Sequence, residues 1–161
     1  MGDVAVINAS PLIFLARGGH IDLLRHFARR LLIPEPVAME ILVRGVDDAT
    51  VKAIKASKWM EVVPSPPVPD LIQGWGLGKG ESSVLAIAMQ NPGMEAIMDD
   101  LAGRRCAAVL NIPVRGTLGI ILVAKQRGVI SEVRPVMESL VREGMYLSRR
   151  IVDEILGLAG E

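Results

Sequence analysis

Aromatic side chains make up only 3% of the 161 residues: Phe14, Phe27, Trp59, Trp75 and Tyr146. Any core this chain builds must therefore be aliphatic, and surfaces on which bases could stack are scarce. A single cysteine, Cys106, excludes an internal disulfide. With only His20 and His26 beside it, six apart in a helical stretch and read as surface residues, no spacing resembles a zinc site. An excess of either charge is also missing, because 18 basic residues offset 18 acidic ones. That balance argues against a protein that grips nucleic acid tightly through a broad basic surface, and leaves room for an enzyme that holds a few phosphates. No apolar run approaches the roughly 18 residues of a membrane span. The opening MGDVAVINAS has no basic stretch of a secretory leader, so the expected location is the cytoplasm with no membrane partner.

What is present is apolar matter in short, well-punctuated pieces. Half of the chain is hydrophobic and 22% is charged, which predicts one folded domain over 1–161 rather than a disordered segment. VAVI (4–7), LLI (31–33), MEVV (60–63), EAIM (95–98) and PVR (113–115) read as five short strands. Between them lie helical stretches, the first opened by Asn8, Ser10 and Pro11, with a polar cap and proline at the first helical position. Further helices are expected over 20–28, 34–43, 47–56, 81–90, 101–111 and 117–128, then two closing ones within 131–160. The stretch PSPPVPDLIQGWGLGKG (64–80) is the densest cluster of helix and strand breakers and reads as a functional loop. Strands alternating with helices imply a mostly parallel five-stranded sheet covered on both faces, a three-layer α/β/α arrangement.

In an open parallel sheet, ligands collect beyond the carboxyl ends of the strands. Asn8 follows the first strand and Asp99–Asp100 follow the fourth; Glu81 opens a helix that starts at the same edge, and Glu40 lies in the helix after the second strand. Singly, each has an ordinary use as a helix cap or as a charge that complements a helix dipole. Gathered together, such hard oxygen ligands suit Mg²⁺ or Mn²⁺, which can activate water for displacement at a phosphodiester. Lys79, Arg104, Arg105 and Arg115 lie near that edge as candidate phosphate contacts, and the turn into the helix at Thr117 offers backbone N–H groups.

The ordered set VINASPLI (6–13), GKGE (78–81), MDD (98–100) with Arg104–Arg105 following, and RGTLG (115–119) resembles the PIN-domain superfamily. The likeness is nearest to a prokaryotic subgroup akin to VapC-type toxins, long catalogued as a domain of unknown function. It spans roughly 4–160. It implies a PIN-like fold and a metal-dependent endoribonuclease, a toxin held inactive by a cognate antitoxin. Carried over residue by residue, Glu40, Glu81 and Asp99 or Asp100 match the family's metal-binding acids, and Ser10 matches its assisting hydroxyl. The first position departs: the family has aspartate where this chain has Asn8. An amide oxygen still coordinates a hard cation but brings no charge, so metal affinity should fall.

That departure sets the alternative, a catalytically impaired PIN-like domain that only binds RNA or a protein partner. An unrelated α/β phosphatase-like enzyme is disfavoured because its usual aspartate nucleophile after the first strand is missing. The high aliphatic content also predicts a homodimer. The surplus is expected on the C-terminal helices, at Ile120, Ile121, Leu122, Val136, Met137, Leu140, Ile151, Ile155 and Leu156, with helices of the first half as alternative contributors.

Overall fold

The structure is a computed structural model that describes residues 3–161. Its centre is a five-stranded sheet made of β1 (Val4–Ile7), β2 (Arg30–Pro34), β3 (Met60–Val63), β4 (Glu95–Ile97) and β5 (Val114–Arg115), in the order β3-β2-β1-β4-β5. Every pairing is parallel: Val6 lies opposite Leu32, Ile7 opposite Ile97, Ile33 opposite Val62 and Ile97 opposite Arg115. Strands covered on both faces need apolar side chains at successive positions rather than at alternate ones. Ala5, Val6 and Ile7 on the central strand meet that need, and all three are buried.

Among the described residues ten helices follow the alternating pattern: α1 (Ala9–Arg17), α2 (Asp22–Phe27), α3 (Glu35–Leu42), α4 (Ala49–Ala56), α5 (Asp70–Gln73), α6 (Lys79–Gln90), α7 (Leu101–Val109), α8 (Thr117–Gln126), α9 (Arg134–Arg142) and α10 (Arg149–Leu158). Helices cover both faces of the sheet, giving a three-layer α/β/α fold. α6 lies on β1, β2 and β4, with α3 and α7 against it, while α1 packs on α4 and α2 on α8. α6 is buried nearly all round from Gly80 to Ala88. Its small residues Gly80, Ser82, Ser83, Ala86 and Ala88 allow that close approach, and Ser83 settles its hydroxyl on the Gly80 carbonyl at 2.7 Å. The core is aliphatic, and Phe27 is its one buried aromatic among the described residues.

Three local features differ from the sequence reading. α6 begins at Lys79 with Gly78 as its cap, so Glu81 sits inside the first turn rather than opening the helix. Pro11 lies two residues past the first helical position, a place that costs nothing because N–H groups of the first turn have no intrahelical partner. The loop at 64–80 contains the short helix α5, started by Pro69 and Asp70.

Helix ends tie the layers together. Asp48 caps α4 by accepting from the Thr50 N–H at 2.8 Å and also pairs with Arg17 of α1 at 2.8 Å. Burial pushes the Asp48 carboxyl up, but the Arg17 hydrogen bond and the Thr50 N–H outweigh it and hold its pKa at about 2. Glu161, the last residue, accepts from the Val133 N–H at 2.7 Å at the start of α9 and from Lys125 of α8 at 3.3 Å. No helix among the described residues is long and apolar enough to cross a membrane.

Candidate functional site

From β1 the chain steps outward through β2 and β3, then returns to place β4 on the other side of β1. The strand order reverses between β1 and β4, and a crevice opens beyond the strand ends at such a reversal. The two ends are joined there, since the Asn8 N–H donates to the Ile97 carbonyl at 2.9 Å.

Asn8 is 3% exposed and occupies the cap position of α1, yet its side chain makes no capping hydrogen bond. Nδ2 donates instead to Oε1 of Glu81, 3.1 Å away, which leaves Oδ1 buried without a partner. An unpaired buried polar atom costs roughly 1–3 kcal/mol and asks for an explanation. That oxygen faces Gly80. A Cβ at Gly80 would stand 3.0 Å from Asn8 Oδ1 and 3.4 Å from Glu40 Oε2, so oxygens from the cap of α1 and from α3 close on a point that only glycine leaves open. Glu81 folds back over its own helix start, its Oε2 2.6 Å from where a Cβ of Gly78 would lie. Glu40 itself is exposed and borders a hollow of about 300 Å³ with Ser10, Arg17, Arg44 and Glu143.

Asp99 and Asp100 are engaged elsewhere. The half-buried Asp99 accepts from the Thr117 N–H at 2.7 Å and from the Thr117 hydroxyl at 2.6 Å, so it anchors the start of α8. The exposed Asp100 caps α7 through the Gly103 N–H at 2.7 Å. Uncommitted N–H groups at a helix start attract carboxylates, and two adjacent aspartates here serve two different helices. Among the described residues no three His, Cys, Asp or Glu side chains form a group able to hold an ion. The acids expected to converge as one cluster divide instead, with Asn8, Glu81 and Glu40 around Gly80, and Asp99 and Asp100 on the helix starts. Ser10 stands between, bordering both the Glu40 hollow and the groove that contains Asp99. The Gly80 side fits a hard divalent cation, because its donors are all oxygen and one is buried and unpartnered.

The candidate phosphate contacts separate in the same way. Thr117 is fully buried with both its polar hydrogens given to Asp99, so neither is offered to a substrate. Arg115 donates to Glu95 at 3.1 Å and lies over the Phe27 ring, 5.2 Å from its centre. Lys79 faces a hollow on the proline-rich loop with Pro36, Ser65 and Gln73. Arg105 is exposed on α7. Of these candidates Arg104 lies beside Asp99: Gly116 gives it room, since a Cβ there would lie 2.5 Å from Arg104 Nη1 and 3.0 Å from Asp99 Oδ1.

A groove of about 600 Å³ that sequence reasoning missed begins at Ser10, Asp99 and Arg104 and runs along α8 to the α9–α10 connection. Its one signal in the sequence is Tyr146, the chain's only tyrosine, set two residues after Gly144 and 88% exposed.

A parallel sheet with this strand order, flanked by helices and with oxygen donors at its central reversal, defines a three-layer α/β/α protein with a candidate ligand site at that reversal. The chain belongs to the PIN-domain family, whose model matches residues 4–161. PIN domains are generally nucleases and typically use divalent metals. Comparison with curated proteins gives no match.

Proposed function

We propose that this chain is a Mg²⁺- or Mn²⁺-dependent endoribonuclease, the toxin of a toxin–antitoxin pair. One observation carries the catalytic part: the buried, unpartnered Asn8 Oδ1 faces the Glu40 carboxylate across Gly80 while its amide holds Glu81. Asn8, Glu40 and Glu81 would hold the cation, with Asp99 across Ser10 as a further acid and Asp100 behind it at the α7 cap. When bound, the cation supplies Lewis acidity that activates water and offsets charge developing on the phosphate. The chain's own residues do the positioning. The Asn8 amide fixes one oxygen of Glu81, Ser10 lines the path between the two acidic halves, and Arg104 receives a phosphate oxygen beside Asp99.

RNA cleavage should appear with Mg²⁺ or Mn²⁺, stop with EDTA, and fall by more than about tenfold in Glu40→Gln. Full activity in chelator overturns the metal mechanism. Asn8 favours a second reading, a domain that binds RNA or a protein partner without cutting. Calorimetry showing no metal binding while RNA is still bound would select it. The toxin assignment rests on the VapC-like motif order, and a neighbouring reading frame for a small helical or DNA-binding antitoxin would support it.

The homodimer is expected to pair through apolar surface left on the helices. Ile120, Ile121, Val136, Met137, Leu140 and Leu156 are buried in the chain's own core, while Val141, Ile151 and Leu158 of the C-terminal helices stay exposed. Exposed apolar residues also follow one another on and just after α3, at Met39, Leu42, Val43 and Val46, among the first-half helices expected as alternative contributors. Pairing through that surface predicts a dimer mass by light scattering and a monomer for Val43→Glu. A wild-type monomer at every concentration refutes it.

A further inference from the structure

The groove beside Asp99 is unusual for this chain in what it gathers. Two of the five aromatic residues, Phe14 and Tyr146, line it, and a third, Phe27, lies under the Arg115 side chain that forms part of its wall. Its floor is aliphatic, from Leu118 and Leu122 of α8 and Ile155 of α10. Arg104 lines it too; its guanidinium makes no ion pair or hydrogen bond among the described residues and sits beside Asp99 against Gly116. Tyr146, 88% exposed on the short link between α9 and α10, also lines it. The same link reaches the other side of Ser10, where Glu143 and Gly144 border the hollow that contains Glu40. One loop therefore overlooks both halves of the acidic edge.

An exposed phenol and an unpaired guanidinium on an aliphatic groove that also reaches Asp99 match one kind of occupant. Unpaired bases stack on aromatic rings while their phosphates are held by cations, and RNA is recognised where its bases can be splayed out. At about 600 Å³ the groove lies within the usual range of small-ligand sites. We infer that this groove is a nucleobase subsite for single-stranded RNA. Tyr146 is the stacking platform, and Arg104 holds the phosphate that leads from that base into the acidic edge. The inference rests on the ribonuclease reading for the position of the scissile phosphate. It assigns the choice of base, and so part of the cleavage specificity, to the α9–α10 link.

The test is equilibrium binding of a short fluorescein-labelled single-stranded RNA in EDTA, followed by anisotropy, so that cleavage plays no part. Tyr146→Ala should weaken binding about tenfold, and Tyr146→Phe should bind as the wild type does, since the ring and not the hydroxyl does the stacking. Placing one abasic nucleotide at the stacked position should weaken wild-type binding by a similar factor and leave Tyr146→Ala little further to lose. Because the ring is exposed, the alanine variant should melt as the wild type does, which keeps folding out of the comparison. Wild-type affinity in Tyr146→Ala, equal loss in Tyr146→Phe, or no binding of RNA by the wild type overturns the inference. So does a Tyr146→Ala variant that changes the mass seen by light scattering while binding RNA normally, because the groove would then belong to a second copy of the chain. Tyr146-dependent binding without metal-dependent cleavage in Mg²⁺ or Mn²⁺ sinks the nuclease reading and leaves the subsite standing.

Discussion

Asn8→Asp is expected to destabilise the metal-free protein and to be rescued by Mg²⁺ or Mn²⁺. In the wild type the Asn8 amide donates to Glu81 at 3.1 Å. Aspartate removes that donor and sets two carboxylates face to face in a buried position, where like charges resist ionising together. Losing a hydrogen bond to a charged group costs about 2 kcal/mol, which in a chain of this size lowers Tm by roughly 4–8 °C. The repulsion adds to that deficit at neutral pH. A divalent cation relieves the same repulsion, so the variant should bind Mn²⁺ about tenfold more tightly than the wild type and cleave faster. The sequence alone suggested a modest cost, because an aspartate near a helix start is well placed; the contact with Glu81 makes the cost larger without metal and the gain larger with it. Unchanged Tm and unchanged metal affinity would remove Asn8 from the site.

Most of the fold was legible because it depends on short-range patterns. VAVI, LLI and MEVV are apolar runs too short for a helix, bounded by polar or proline-rich breaks, and each became a strand of the parallel sheet. Helix ends at Gly128 and Gly144 have positive φ, at 73° and 100°, as glycine after a helix predicts. What local pattern did not settle was the start of α6. A lysine and a glycine before Glu81 read as loop, yet packing against β1 and α3 draws Lys79 and Gly80 into the helix and leaves Gly80 as the contact point for Asn8 and Glu40.

The site was legible as an edge and not as a geometry. Sequence order placed Asn8, Glu81 and the two aspartates at the carboxyl ends of strands, and the strand order agrees. Which partner each acid takes is decided by contacts far apart in the chain. Asp99 meets Thr117 and Asn8 meets Glu81 only after the sheet is assembled. The aliphatics of α8, α9 and α10 show the same limit, because counting them predicts burial but not whether the cover is the chain's own core or a partner. The groove at Tyr146 depends on four helices, the β5 strand and one link, and no spacing rule joins Phe14 to Tyr146 in advance.

Asp99→Ala and Glu81→Gln are expected to fail in opposite ways, which separates the acid that builds the site from the one that works in it. Asp99 accepts two hydrogen bonds from Thr117, and Thr117 is fully buried. Alanine at this position leaves a buried N–H and a buried hydroxyl without a partner and removes a negative charge from the start of α8, at a cost of about 3 kcal/mol. Tm should drop by roughly 6–12 °C, and whatever cleavage remains should track the folded fraction as well as the displaced Arg104. Glu81→Gln keeps the shape and keeps an oxygen to accept from the Asn8 amide, so melting should shift by no more than about 2 °C. Its lost charge falls on the cation instead. Cleavage should decline by more than about 10²-fold, since changes to groups that merely support metal ligands already cost 10–100-fold. Melting scans and cleavage rates on the two variants, measured at saturating Mn²⁺, decide the matter. A Glu81→Gln enzyme with near-normal rates would take Glu81 off the metal. An Asp99→Ala protein that melts like the wild type but no longer cuts would move Asp99 from its place at the start of α8 into the metal site itself.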